Sequence, residues 1–294
     1  MPAPDNLERA PMPISFTTMT ATRPGSPNSA LEDRIHVGKD VVVVLDGVTT
    51  VAEDAAVLGG TYAERLGKEI AVMAAAPGCD LRAVLAEAIA RTARALNLGP
   101  RTVPGRSPQT TVAVGRWQEG RFEAAVIGDS PVVVIRSDGA VSVLTDDRVA
   151  ALAARLPERQ EQHGRLVTGA GRIGDDRHRE LTRAIMRQMG GLVNRSGGYW
   201  IAGADPRAGR EAFVRSWPLE EVTDILIATD GASAVVDKYG LLTWQEVATH
   251  SRVHGPDAVL DLVCAADDSD PHGHRWPRSK PSDDKTLAHL RPSS

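Results

Sequence analysis

The sequence predicts an α+β fold in which antiparallel sheet is layered with helices. Three observations lead there. Five consecutive apolar residues at 41–45 read as a strand buried on both faces. Apolar residues spaced at threes and fours between 57 and 96 read as a helical hairpin. Short β-prone segments parted by turns fill 110–145.

The elements follow in chain order. Residues 1–12 are proline-rich and read as a loose tail. Phe16–Thr22 (FTTMTAT) is β-prone. Arg34–Val37 and Val41–Leu45 form a hairpin about Gly38-Lys39-Asp40, and the second strand stops at Asp46-Gly47. From Val51 to Ala76, Val57, Leu58, Tyr62, Leu66, Ile70 and Met73 mark one helix, ended by Pro77-Gly78. Asp80 caps a second helix with Leu81, Val84, Leu85, Ala88, Ile89 and Leu96 on one face. Strands at 110–117, 121–127, 131–136 and 140–145 read as a meander. Residues 147–192 are mostly helical and irregular. Strands near 211–217 and 223–229 follow, then helices near 243–252 and 256–266. A polar loop at 267–282 leads into a last strand, Lys285–Leu290. No repeat or linker interrupts this order, so 13–294 reads as one domain.

Composition narrows the function classes. Hydrophobic residues make up 42% of the 294, enough for a sizeable core, which excludes a mostly disordered chain. Lys plus Arg is 34 and Asp plus Glu is 38, so the net charge of −4 argues against nucleic-acid binding through overall charge. Arginine outnumbers lysine 29 to five, which reads as the codon bias of a GC-rich genome. The two cysteines, Cys79 and Cys264, are too far apart for a CxxC metal site, and a reducing compartment follows. Prolines, Asp5 and Glu8 near the amino terminus do not read as a signal peptide, and no apolar run approaches the roughly 18 residues of a spanning helix. A soluble, cytoplasmic monomer without a nucleic-acid or membrane partner is expected.

The chemistry is carried by carboxylates at strand ends. Asp138-Gly139 lies between two alternating segments and is a plain hairpin turn. Asp46 and Asp230 differ, because each stands where a nearly continuous apolar strand stops and helix-compatible sequence follows. A carboxylate fixed there is well placed to hold a hard cation. Asp33 before a strand, Asp129 in Gly128-Asp129-Ser130 and Asp283-Asp284 before the last strand extend the set. Oxygen donors without a Cys/His cluster favour Mg²⁺ or Mn²⁺ over Zn²⁺.

The ordered blocks LEDR (31–34), VVVVLDGVT (41–49), PQTTVAV (108–114), VIGDSPVVV (126–134), VLTDDR (143–148), LIATDGAS (226–233) and DDKT (283–286) resemble the protein phosphatase 2C family, the metal-dependent serine/threonine phosphatases. DGVT, GGYWIAGADP and DPHGHRWPR look most like an actinobacterial branch. The resemblance implies a four-layer α-β-β-α sandwich of two antiparallel sheets flanked by helices. It implies two Mn²⁺ or Mg²⁺ ions per chain. Asp46 matches the bridging carboxylate and Gly47 a backbone carbonyl ligand. Asp230 and Asp283 match the other direct ligands, Asp33 an acid acting through metal-bound water, and Asp129 a ligand of a weaker third cation. Asp33, Asp46 and Asp230 are then the catalytic carboxylates. A bridging hydroxide would attack phosphorus in line, with no covalent intermediate, in keeping with the lack of a persuasive Cys or Ser nucleophile.

The chain departs from the family pattern at three places. Asn28 replaces an Arg that grips phosphate, Val48 a His proposed as general acid, and Ala234 an Asp. Arg278 or Lys280, both close in sequence to Asp283, are candidates to bind the phosphate instead, and Arg23 is another. Arg179, Arg183 and Arg187 share one helix face within 150–195, the region of the family's variable flap, and an ordinary exposed face is favoured over an acid-selecting one. His272 and His274 near Asp267, Asp268 and Asp270 read as a polar loop rather than a metal site, with either His a candidate general acid. The five tryptophans read as anchors and Thr110 and Thr111 as strand residues. The function expected is hydrolysis of phosphoserine and phosphothreonine in proteins. The alternatives are a catalytically weak phosphatase-like binding or regulatory module, and a hydrolase of small phosphoesters.

Overall fold

The structure, a computed structural model, describes residues 15–27, 30–48, 59–99 and 107–293. Strands β1 (Phe16–Arg23), β2 (Arg34–Val37), β3 (Val41–Leu45) and β4 (Gly47–Val48) come first. Helices α1 (Gly59–Ala74) and α2 (Leu81–Ala95) follow, then β5 (Gln109–Thr110), β6 (Val112–Gln118), β7 (Arg121–Ile127), β8 (Val132–Arg136) and β9 (Val141–Leu144). Next are α3 (Arg148–Ala153), α4 (Pro157–Val167), α5 (Asp176–Gly190) and α6 (Arg207–Arg210). The chain closes with β10 (Phe213–Pro218), β11 (Val222–Ala228), α7 (Asp230–Asp237), α8 (Trp244–His254), α9 (Pro256–Ser269) and β12 (Lys285–Pro292).

Two five-stranded sheets result, in the orders β1-β12-β11-β8-β9 and β10-β7-β6-β3-β2. Their pairings are antiparallel. Helices α1 and α2 cover the second sheet, with Tyr62, Leu66, Ile70, Leu85 and Ile89 packed on Val41, Val43 and Leu45. Helices α7, α8 and α9 cover the first, with Val247, Val259 and Val263 on Leu226 and Ala228. Val42, Val44, Ile225 and Ile227 turn the other way and fill the space between the sheets. This explains the unbroken apolar runs. A central strand of a four-layer sandwich is buried on both faces, so every residue of β3 must be apolar.

Local chemistry sets the element ends. Asp80 caps α2 by accepting from the Arg82 and Ala83 amides, as its position predicts. Thr243 and Glu246 form a capping box at α8. The Asp138-Gly139 hairpin stands between β8 and β9, with Gly139 at φ +80°.

The expected meander over 110–145 is corrected. β6 and β7 pair in one sheet, β8 and β9 in the other, so the chain changes sheets at 128–131. Gly128, at φ +82°, makes that passage possible, because its α-hydrogen faces the Thr111 side chain where a Cβ would come within 2.9 Å. The tail at 1–12, the expected helix start at 51–58 and Asn28 lie outside the described residues. No helix among the described residues is long and apolar enough to cross a membrane.

Candidate metal centre

The acidic residues singled out above gather at one end of the sandwich. Asp46 follows β3, Asp129 lies in the passage from β7 to β8, Asp230 opens α7, and Asp283 precedes β12. Asp33, just before β2, is only 1% exposed.

Glycines let these segments close on one another. A Cβ at Gly47 would lie 2.7 Å from the Glu32 carbonyl oxygen, and one at Gly231 would overlap the Asp284 carbonyl oxygen. The two Asp-Gly pairs therefore serve packing: each glycine lets its aspartate stand beside another acidic segment. The structure adds this to the expected role of Gly47 as a carbonyl donor.

Hydroxyls hold the carboxylate segments. Thr110 Oγ1 donates to the Asp46 carbonyl at 2.8 Å, and the Asp46 amide donates to Thr111 Oγ1 at 3.2 Å. Thr229 Oγ1 donates to Asp33 Oδ2 at 2.9 Å and accepts from the Thr286 amide at 2.9 Å. Asp284 ties two loops together, accepting from the Gly25 amide at 2.8 Å and the Glu32 amide at 2.6 Å. Asp146, fully buried, is gripped by both forks of Arg148 beside the Gly128 carbonyl. Sequence reasoning placed Asp284 in the acidic set without this tying role, missed Asp146 and Thr229, and gave Thr110 and Thr111 only a strand role. Their one signal was position, since each lies within a block that also carries an expected ligand or flanks one.

The electrostatics are those of crowded anions. Burial, then the charges of Asp230, Asp33 and Asp283, push the Asp46 carboxyl well above its ordinary value. Burial raises Asp33 to about 7, with Asp284 and Asp230 adding to it against hydrogen bonds from Thr229 and Thr286. Asp129 is pushed up to about 7 by burial, Asp230, Asp146 and Asp283. Burial and Asp230 raise Asp283 as well, opposed by Lys280. Burial works against the Lys280 charge, yet Asp283, Asp230 and Asp46 outweigh it and hold the ammonium above its ordinary pKa.

Among the described residues no three His, Cys, Asp or Glu side chains stand in ready-made metal-binding geometry. The donor chemistry nonetheless fits a hard cation. All the groups are oxygen donors, and one oxygen each of Asp33 and Asp230 is buried without a hydrogen-bond partner. Nearby positive charge would relieve the repulsion that raises the carboxyl pKa values.

The phosphate-binding candidates separate. Arg278 is 4% exposed and its five N–H groups are all taken, by Pro281, Trp276, Asp267 and Asp270. It has no donor left for a phosphate, which corrects that expectation. Arg23 is partly exposed and turned to α9, where it pairs with Asp257 and Asp261. Lys280 pairs with Asp283 among the carboxylates. Val48 is exposed and Ala234 buried. Arg179, Arg183 and Arg187 are exposed while Leu181 and Met189 are buried, the division the spacing predicts. In the loop, His274 Nε2 meets the Gly171 carbonyl at 2.9 Å, and the His272 backbone carbonyl accepts from the Ile173 amide at 3.1 Å.

Known proteins can now be set beside this geometry. The structure of the Mycobacterium tuberculosis serine/threonine phosphatase PstP/Ppp is 15% identical, with a TM-score of 0.55 over 95% of this chain and 100% of that one. The catalytic domain of PstP in complex with two manganese ions gives 14% and 0.55 over 96% of this chain and 100% of that one. Stp1 from Staphylococcus aureus gives 14% and 0.55 over 98% and 100%. At such identity these likenesses are likenesses of fold. No curated protein matches the chain significantly. The family model described as protein phosphatase 2C matches residues 26–261, a span that takes in Asp33, Asp46, Asp129 and Asp230. With that match over most of its length, and the sandwich to go with it, the chain belongs to the protein phosphatase 2C family of serine/threonine phosphatases.

Proposed function

We propose that this protein removes phosphate from phosphoserine and phosphothreonine in proteins, using two Mn²⁺ or Mg²⁺ ions. The observation that carries the reading is the meeting of Asp33, Asp46, Asp129, Asp230 and Asp283, where burial and neighbouring charge raise Asp33, Asp46, Asp129 and Asp283 and where one oxygen each of Asp33 and Asp230 is orphaned. Asp46, the Gly47 carbonyl, Asp230 and Asp283 would hold the two cations, Asp33 would act through water, and Asp129 would hold a weaker third. Bound there, the cations supply charge neutralisation for a phosphate monoester and a water acidified for attack on phosphorus.

The chain's own residues do the positioning. Thr110 and Thr111 fix the Asp46 backbone from both sides. Thr229 orients Asp33, and Asp284 holds Gly25 and Glu32 beside the start of β12. Preorganised carboxylates of this kind need no rearrangement as charge develops in the transition state. We read 13–294 as one catalytic unit. Within it, residues 150–195 are the flap that meets the protein part of the substrate, which favours phosphoproteins over small esters. Helices α3 and α5 within that region pack on a small core of their own.

The test is phosphate release from a phosphothreonine peptide with Mn²⁺, run beside Asp46→Asn and Asp230→Asn. Metal-dependent turnover is expected, with each variant slower by about 100-fold or more. Turnover no greater than that of the variants would leave a binding module instead. Faster turnover of small phosphoesters than of phosphopeptides would move the substrate class.

A further inference from the structure

A pocket of about 50 Å³ opens beside the carboxylates, between α7 and the 278–282 loop. Asp230 and Asp283 line it together with Lys238, Ser279, Lys280 and Ala234. The chain has only five lysines against 29 arginines, yet Lys238, Lys280 and Lys285 all border this one pocket. A protein that otherwise uses arginine has concentrated its lysines here. The side chains differ in a way that suits the space. A guanidinium is a wide rigid fork, whereas an ammonium is a compact charge with three rotatable donors. At about 10–15 Å³ each, a pocket of this size has room for three to five water molecules, and so for a small anion.

The cations around the pocket are not equally available. Lys285 is 1% exposed and committed, donating to Ser282 Oγ and the Asp283 carbonyl at 2.7 Å and pairing with Asp267 at 3.1 Å. Arg278 is saturated, as described above. Lys238 stands exposed at the end of α7. Lys280 has a 57% exposed side chain whose ammonium rests on Asp283. Asp283 would hold a cation, and the Lys280 ammonium that now pairs with it would then be free to meet an anion at the edge of the centre. Ala234 keeps the pocket open, where an acidic side chain would fill it with like charge.

We propose that this pocket is the phosphate subsite, and that Lys280, assisted by Lys238, grips an oxygen of the phosphate in substrate and product. The proposal rests on the metal-dependent phosphatase reading. Inorganic phosphate is titrated calorimetrically into the Mn²⁺-loaded full chain, and the kinetics of p-nitrophenyl phosphate hydrolysis are measured on the same samples. The wild type is expected to bind phosphate. Lys280→Ala should weaken that binding about tenfold, the loss of one charge-assisted hydrogen bond. The same variant should raise KM by a similar factor with kcat changed less. Lys238→Ala should lose less, and Lys39→Ala in the β2–β3 turn nothing. Melting temperatures of the Mn²⁺-loaded forms should change little, because bound cations would offset the Asp283 charge in place of the ammonium. Unchanged phosphate affinity in Lys280→Ala, or no binding by the metal-loaded wild type, overturns the proposal. If the wild type turns over while Lys280→Ala is unchanged, the subsite fails and the phosphatase reading stands. If phosphate binding depends on Lys280 but the wild type never turns over, the subsite stands and the phosphatase reading fails.

Discussion

Arg278 and Lys280 lie two residues apart and have different fates. The guanidinium is sealed under the 267–281 loop between Asp267 and Asp270, while the ammonium reaches the carboxylates. Removing one partner of a buried pair strands the other, so Arg278→Ala should lose about 3 kcal/mol of stability. Urea denaturation measures this, and a KM effect without destabilisation would contradict the assignment. Gly231 makes a sharper case. Its missing Cβ is what allows Asp230 to stand beside the Asp283-Asp284 segment. Gly231→Ala should abolish Mn²⁺-dependent turnover and lower stability by roughly 1–3 kcal/mol through overpacking. A fully active variant would show that the close approach is dispensable.

At the scale of elements, the strands that carry the ligands are locked to their neighbours by polar pairs. His289 on β12 meets Asp224 on β11 at 2.9 Å and Ser251 on α8 at 3.0 Å, and Arg252 on α8 caps the same carboxylate at 2.8 Å. The order Ser251–His289–Asp224 has the look of a nucleophile triad. Ser251 and His289 are 0% exposed, so no substrate reaches them. Ser251→Ala should therefore leave phosphatase turnover unchanged, and a loss of activity without a loss of stability would revive the triad. Burial alone would raise the Asp224 pKa, but the hydrogen bonds from His289 and Arg252 overcome it and hold the value at about 2. With the folded pKa below the unfolded 3.8, the stability from this carboxylate is present above pH 4 and lost as pH falls towards 2. Asp224→Asn should cost about 3 kcal/mol near neutral pH and less in acid, read from denaturation curves across that window.

For the whole molecule, the gathered carboxylates set a pH dependence of the opposite sign. Asp33 and Asp129 rise from 3.8 to about 7 on folding, so the folded metal-free chain binds more protons than the unfolded one between those values. Its stability should fall as pH rises from 4 to 7. The metal-free Tm is expected to drop by about 5 °C from pH 5 to pH 8, with Mn²⁺ raising it more at pH 8 than at pH 5. Asp46→Asn should raise the metal-free Tm and blunt the Mn²⁺ shift. A Tm that rises with pH in the metal-free protein would refute the picture of mutually repelling carboxylates.

Local pattern sufficed for much of this protein. Strand and helix cores were legible because apolar runs and threes-and-fours spacing reflect the layer that each element must bury, and β3 shows it most plainly. The carboxylates were legible because an aspartate that ends a buried strand stands out against its own neighbours. What local pattern could not decide was set by residues far apart in the chain. The change of sheet at 128–131 depends on which strands pair, and a turn sequence does not state its partner. The sealing of Arg278 and the freedom of Lys280 depend on what surrounds each charge in space. The lysine count that read as genome bias became informative only when three of the five were found around one pocket. Desolvation and charge pairing are properties of three-dimensional neighbourhoods, and only the folded chain creates them.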